Sequence, residues 1–351
     1  LFPMRELALM GFLEVLPKLR RLQRRLAETE ADIAARRPDL VITIDSPGFA
    51  LRLLRAVAKL GIARIHYVAP QVWAWRESRV RHYPGVWDDL LCLLPFEPAF
   101  FARHGLPATF VGHPVLESGA DRGDAARFRT AHGVADNAPV LTVLPGSRRT
   151  EVGRLLPVLG ATIAQLAPQV PGLVPVVPVA ATVSEIVRSG TVRWPVRPVI
   201  VTDDAGKHDA FAASTAALTK SGTSTLELGL AGVPMIVTYR VNSLSAAIAR
   251  RLIKVRFASL LNLLAGAEIV PELLQAACTP ERLAAALLPL LTSPAARDAQ
   301  RAAFAPSLQA LRPPSGTPSD AAAEAALVQL DKQSRRHTES RGELATKSQL
   351  R

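Results

Sequence analysis

The feature that most restricts the fold of this chain is a series of short apolar runs, many of them rich in Val, Ile and Leu without alternating polar residues. They fall at 40–44, 64–68, 90–94, 109–111, 140–144, 173–179, 199–201, 216–219 and 235–238. A strand exposed on one face alternates apolar and polar side chains, whereas one buried on both faces reads as a continuous Val/Ile/Leu run. Helical patterns at 49–60, 151–166 and 224–230 lie between these runs. Strand–helix repetition of this kind predicts an α/β chain of doubly wound, Rossmann-like domains with parallel sheets.

At 351 residues the chain is long enough for two cores. The apolar fraction of 49% and charged fraction of 21% are those of a folded, globular chain. Turn residues at 114–123 mark a linker. The expected organisation is therefore a first domain at 1–114 and a second at 115–295. Helices at 296–330 are expected to pack back on the first domain, followed by a disordered polar tail at 331–351. Cys92 and Cys278 are far apart and form neither a metal motif nor a disulfide framework. No run of apolar residues is long enough to span a bilayer. The net charge of +12 favours anionic partners; no recognisable nucleic-acid-binding module is present, so an acidic membrane surface or phosphorylated substrates are expected instead.

Three strand–turn–helix junctions carry candidate chemistry. In Ile44-Asp45-Ser46-Pro47-Gly48, an apolar strand ends in a carboxylate, where ligands bind in open α/β sheets. Asp45 can take a proton from a hydroxyl nucleophile, or Asp45 or Ser46 can simply cap the next helix. In Leu144-Pro145-Gly146-Ser147-Arg148, a Gly-containing turn leads into a helix whose N–H groups and dipole would face an anion, with Arg148 adding a full charge. A plain βα turn with a surface arginine fits the same letters. In Lys220-Ser221-Gly222-Thr223-Ser224-Thr225-Leu226-Glu227, Thr223 and Ser224 can bind phosphate or cap the helix. Glu227 can complete a capping box or bind ribose hydroxyls.

Two further segments are less specific. Trp73 and Trp75, two of the four tryptophans, sit in the 66–76 segment and can form a sugar or acyl platform or close a core. His66 there reads as a core histidine. At the start of the chain, Met10, Phe12, Leu13 and Leu16 crowd together, and Lys18, Arg20, Arg21 and Arg24 follow. An apolar insertion beside a basic face suits a membrane surface; an ordinary helix docked on its sheet is the plainer reading.

Taken in order, LFPMRELALMGFLEVLP, IDSP, HYVAPQVWAWR, LLPFEPAFFARHG, FVGHP, LPGSR, KSGTSTLELGLAGVPMIVTYR, SLLNLLAG and EIVPELLQ resemble the lipid-A-disaccharide synthases over roughly 1–311. The resemblance implies a GT-B glycosyltransferase, with two Rossmann-like domains facing a cleft. It also implies transfer of 2,3-diacylglucosamine from UDP to lipid X (2,3-diacylglucosamine 1-phosphate), with inversion. By resemblance Asp45 is the general base and Arg148 an essential arginine. Gly146, Ser147, Ser221, Gly222, Thr223, Ser224, Glu227 and Tyr239 belong to the UDP-sugar site, with Asn262, Glu272 and Gln275 near it. No Asp-x-Asp pair is present to hold a divalent ion, so neither metal nor cofactor is expected. The implied setting is the cytoplasmic face of an anionic inner membrane, with the protein bound peripherally; self-association as a homodimer stays open.

The chain departs from the family pattern at Gly48, where an acidic residue is usual, and at Leu261 and Ala267, which replace a usual Pro and a usual basic residue. The family's Gly-rich first strand–loop is also expected upstream of Leu1. Rival readings are another UDP-sugar GT-B enzyme (an epimerase or a peptidoglycan-precursor transferase) or a non-catalytic membrane-binding fragment.

Overall fold

The computed structural model describes residues 1–3, 19–242, 252 and 254–349. In chain order the elements are α1 (Leu19–Arg36), β1 (Leu40–Ile44), α2 (Pro47–Val57), β2 (Ala63–Tyr67), α3 (Val72–Trp75), β3 (Asp89–Cys92), α4 (Glu97–Ala102) and β4 (Thr109–Phe110). Then follow α5 (Ala125–His132), β5 (Val140–Leu144), α6 (Arg149–Leu166), β6 (Val174–Pro178), α7 (Ser184–Thr191), β7 (Val199–Val201), α8 (Asp204–Ala213), β8 (Ala216–Lys220), α9 (Ser224–Leu230) and β9 (Met235–Tyr239). The last are α10 (Leu260–Ala265), β10 (Glu272–Leu274), α11 (Pro280–Thr292), α12 (Pro294–Gln309) and α13 (Pro318–Gln349). They form two units, Leu1–Pro114 with Leu311–Arg351, and Val115–Ala310.

The first unit is built on a parallel sheet of order β1-β2-β3-β4, with Leu40 opposite Ala63 and Ile44 opposite Tyr67. One face buries Val41, Leu90 and Cys92 against Leu51, Leu54 and Phe101. The other face, at Ile65, Leu91 and Val111, lies under Ala321, Ala322, Ala325 and Ala326 of α13. Alanines let the helix axis come close to the strands. Burial on both faces is the reason β3 reads as an unbroken apolar run, whereas the edge strand β1 leaves Ile42 and Ile44 exposed.

The second unit has a parallel sheet of order β10-β9-β8-β5-β6-β7. Leu141, Val143 and Leu218 pack against Leu155, Leu159 and Ile163 of α6 and Leu287 of α11. On the other face Val140 and Val176 meet Phe128 of α5 and Ala210 of α8. Arg127 binds Asp209 through two hydrogen bonds of 2.5 Å, tying α5 to α8.

Two expectations for the C-terminal region need correction. Helix α12, expected on the first domain, belongs to the second unit. Its buried side of Gln300, Phe304 and Ser307 faces β9 and α10, with Ser307 donating to the Leu261 carbonyl. The tail expected to be disordered from Asp331 continues α13 as helix to Gln349. It lacks an apolar stripe, but its Glu, Lys, Arg, Gln and Ala residues are good helix formers. Strand β10 escaped notice in the sequence because it has only three residues and follows Pro271.

Gln300 also completes the sheet. Beyond the reach of the short β10, the Met235 backbone has no strand neighbour on that side. The Gln300 side chain accepts from the Met235 N–H at 2.6 Å and donates to its carbonyl at 3.1 Å. Gln300→Leu keeps the volume and strands both backbone groups, so it should lower unfolding stability by ~2 kcal/mol or more, read as a lower urea midpoint.

Candidate active site

In the first unit the sites of interest lie at the carboxyl ends of the strands. Asp45 leaves β1 with φ 51° and Ser46 follows with φ 45°, two successive left-handed residues that are not glycine. Val68, just after β2, has φ 77°, a conformation that a β-branched side chain rarely adopts. The strain is held by backbone bonds: Asp45 N–H donates to the Tyr67 carbonyl at 2.9 Å, and Val68 N–H to Leu91 at 3.1 Å. Strain of this kind collects where a site must present a group in a set direction. Ser46 stands at the N-cap of α2 without a side-chain capping bond. Asp45 is exposed, and its carboxylate has no hydrogen-bond or ion-pair partner among the described residues. The capping alternative is therefore not realised. Thr43, Ile44, Ser46, Phe49 and Ala50 line an apolar pocket of about 260 Å³ beside it, with Phe2.

The tryptophans divide. Trp73 is held by an indole hydrogen bond of 3.0 Å to Glu97 and an edge contact with Phe96. Trp75 is exposed and stacks under the Arg76 guanidinium, 4.2 Å from the ring centre. Glu97 is buried at the start of α4 and also accepts from the N–H groups of Leu93 and Leu94. Burial pushes its carboxyl up to about 7, against the pull of those three donors. His66 is fully buried, bonded through Nδ1 to Thr43 at 2.8 Å; burial pushes it down to about 4. It is neutral at ordinary pH, a core residue as expected.

In the second unit, β5, β8, β9 and β10 end side by side, and four junctions meet there. Gly146 has φ 109° and turns the chain from β5 into α6, with Arg148 at the helix N-cap. Ser147 and Arg148 are exposed at this end. Gly222, Thr223 and Ser224 lie at the end of the neighbouring β8 and Tyr239 at the end of β9. Thr223 occupies the N-cap of α9 and makes no side-chain capping bond, and Glu227 bonds Lys207 Nζ at 3.1 Å. The capping-box reading of Ser224 and Glu227 is thereby excluded.

Behind this edge, residues named for the site are committed to the backbone. Asn262 is fully buried: its amide oxygen accepts from Ile269 and Val270 N–H, and its nitrogen donates to the Val270 carbonyl and to Glu272. Glu272 accepts from Ala258 and Ser259 N–H at 2.8 Å each. Ser221 donates to the Ala258 carbonyl at 2.7 Å, and Gln275 accepts from Val241 N–H at 3.2 Å. In this structure Ser221, Asn262, Glu272 and Gln275 hold the 258–262 segment and the 239–241 turn beside the site. Glu97, Glu151, Lys207 and Lys220 were not singled out as site residues. Glu97 and Lys220 each border an apolar run, the one signal that could have marked them, while Glu151 and Lys207 lie among polar residues with no such mark.

Met10, Phe12, Leu13, Leu16 and Lys18 lie outside the described residues. Arg20, Arg21 and Arg24 are exposed on α1, with Arg24 donating to Glu28 at 2.9 Å. Among the described residues no helix is long and apolar enough to cross a membrane.

Two parallel Rossmann-like units with glycine-containing turns at the strand ends of the second define a GT-B chain. Solved structures agree on the fold. The UDP-GlcNAc 2-epimerase from Neisseria meningitidis bound to UDP-GlcNAc is 14% identical, with a TM-score of 0.55, covering 80% of this chain and 75% of that one. The calicheamicin glycosyltransferase CalG4 is 18% identical, with a TM-score of 0.55, covering 90% and 79%. The family model described as lipid-A-disaccharide synthetase matches residues 1–325. A lipid-A-disaccharide synthase from Granulibacter bethesdensis is 57% identical over 92% of this chain and 85% of its own length, and one from Gluconobacter oxydans is 58% identical over 92% and 78%. The chain belongs to the lipid-A-disaccharide synthetase family and is a glycosyltransferase of lipid A disaccharide synthesis.

Glu97 yields a pH prediction. A carboxyl whose folded pKa is raised favours folding when protonated, and that contribution is lost as pH rises from the ordinary value of 4.5 through about 7. Glu97→Gln removes the titration. The melting temperature of the variant relative to the parent should therefore rise between pH 5 and pH 8; a constant difference in paired thermal melts would contradict the assignment.

Proposed function

We propose that this chain transfers 2,3-diacylglucosamine from its UDP ester to the primary hydroxyl of 2,3-diacylglucosamine 1-phosphate (lipid X), releasing UDP. The observation that carries this is the meeting of the Gly146–Arg148 turn, the Gly222–Ser224 turn and Tyr239 on one edge of the second sheet. It combines with the named relatives at 57–58% identity. Asp45 takes the proton from the acceptor hydroxyl as that oxygen bonds to the anomeric carbon. The bond from that carbon to the diphosphate breaks on the opposite side, which inverts the configuration, and the electron pair leaves on UDP. The N-terminus of α6 and Arg148 stabilise the developing negative charge. Gly146, Ser147, Gly222, Thr223 and Ser224 carry the diphosphate and Glu227 the ribose. The apolar pocket beside Asp45 suits an acyl chain of the acceptor. Diacylated substrates of this kind come from a bilayer, and the basic side of α1 suits an anionic inner-membrane surface on the cytoplasmic side.

In a micellar assay with both lipid substrates, Asp45→Asn should reduce disaccharide formation by ~100-fold or more, the usual scale of a lost general base, while UDP binding stays near the parent value. Near-parental turnover would remove Asp45 from the mechanism. Arg20→Gln, Arg21→Gln and Arg24→Gln combined should weaken sedimentation with anionic vesicles, more so at low salt; unchanged sedimentation would remove α1 from the membrane contact.

A further inference from the structure

A compact set of charges in the second unit lies beneath the two glycine turns, around Glu151. Its side chain is only 6% exposed. One carboxylate oxygen accepts from Arg148 Nη1 at 2.7 Å and from the Tyr239 hydroxyl at 3.2 Å. The other oxygen is buried without a hydrogen bond, 3.5 Å from Lys220 Nζ. Lys220 closes β8, with its ammonium 5.5 Å from the centre of the Tyr239 ring. Its side chain is 19% exposed, against 45% for Arg148.

The two glycines of the neighbouring turns sit over this lysine. A methyl group on Gly146 would stand 3.2 Å from the free oxygen of Glu151 and 3.4 Å from Lys220 Cδ. One on Gly222 would stand 3.6 Å from Lys220 Nζ. The ammonium is thus placed between two turns that come from different strands, on the side where both present backbone rather than side chain. Both cations lie against the same buried carboxylate, Arg148 Nη1 at 2.7 Å and Lys220 Nζ at 3.5 Å. Glu151 supplies one negative charge to two positive ones. The set keeps a net charge of +1, suited to an incoming polyanion.

Resting on the UDP-sugar reading above, we infer that Lys220 is a second cation on the nucleotide diphosphate, and that Glu151 is a positioning residue that holds Lys220 and Arg148 for it. Lys220 touches the leaving group from beneath the glycine turns while Arg148 approaches from the rim. Glu151 touches neither phosphate. It fixes the directions of both cations and of the Tyr239 hydroxyl through charge-assisted bonds. The ligand class is a nucleoside diphosphate, through its phosphates and not its base.

The sign of the effect at Glu151 separates this role from that of a bystander. A carboxylate merely near an anion site repels the anion, so its neutralisation would tighten binding. A carboxylate that positions the cations loosens binding when neutralised. UDP and uridine are titrated calorimetrically into the full chain and its Lys220→Met, Lys220→Arg and Glu151→Gln variants, with melting curves alongside. Lys220→Met and Glu151→Gln should each weaken UDP about tenfold and leave uridine unchanged, and Lys220→Arg should recover most of the loss. Recovery by arginine and unchanged uridine would not follow from misfolding. Equal or tighter UDP binding by Glu151→Gln overturns the positioning role, and parental UDP binding by Lys220→Met overturns the cation role. Failure of the parent chain to bind UDP overturns both together with the function proposed above.

Discussion

Parallel pairing is the constraint on which the rest of this molecule depends. Every strand of both sheets runs the same way as its neighbours, so every strand in a sheet delivers its carboxyl end to one edge. The following helices start from that edge, and their unpaired N–H groups and positive dipole ends gather there. A site for an anion is then a consequence of topology, before any charged side chain is added. The cost is that the inner strands must be covered on both faces. Alanines of α13 cover the first sheet, while α6 and α11 on one side and α5 and α8 on the other cover the second.

The charged groups added to this frame divide by burial. Asp45 and Arg148 are exposed at the rim, where a substrate can reach them. Glu97, Glu151 and Asn262 are buried beneath, each bonded to a segment that carries a rim residue. Glu97 joins the β3–α4 turn to Trp73, and Glu151 joins the start of α6 to the ends of β8 and β9. A buried carboxylate with several donors costs desolvation and returns a fixed geometry only while all its partners are present. At Asp45, Ser46 and Val68 the strained conformations are held instead by backbone bonds from Asp45 to Tyr67 and from Val68 to Leu91.

Much of this was legible in the sequence, for a reason that also sets its limit. Unbroken apolar runs mark strands, so 40–44, 140–144 and 199–201 could be read to the residue, although only 140–144 is buried on both faces and 40–44 leaves Ile42 and Ile44 exposed. The turns at Asp45, Gly146 and Gly222 were legible because a strand must end before a helix can begin. Strand β10 was not, since three residues after a proline carry no period. The placement of α12 was also lost. Its apolar pattern says only that one side is buried, and the choice of partner rests on Gln300 and Ser307 meeting backbone groups far away in sequence. Similarly, the letters around Ser224 and Glu227 fit a capping box, and only the position of Lys207 decides otherwise.

The same distinction bears on Asn262 and Glu272, which the family resemblance places near the UDP-sugar site. Their polar atoms are already used by 258–262 and 269–270. The Asn262 amide has all its donors and acceptors engaged, so a new bond to a ligand would strand an old one, and both Glu272 oxygens already hold backbone N–H groups. Their contribution is therefore geometric. They fix the segment whose Ala258 carbonyl receives Ser221, and Ser221 opens the turn that leads to Gly222 and Thr223. Pattern alone does not distinguish a residue that touches a substrate from one that holds the loop that does. The hydrogen-bond inventory of the side chain distinguishes them, and by that test the rim of the second sheet is narrower than its motifs suggest.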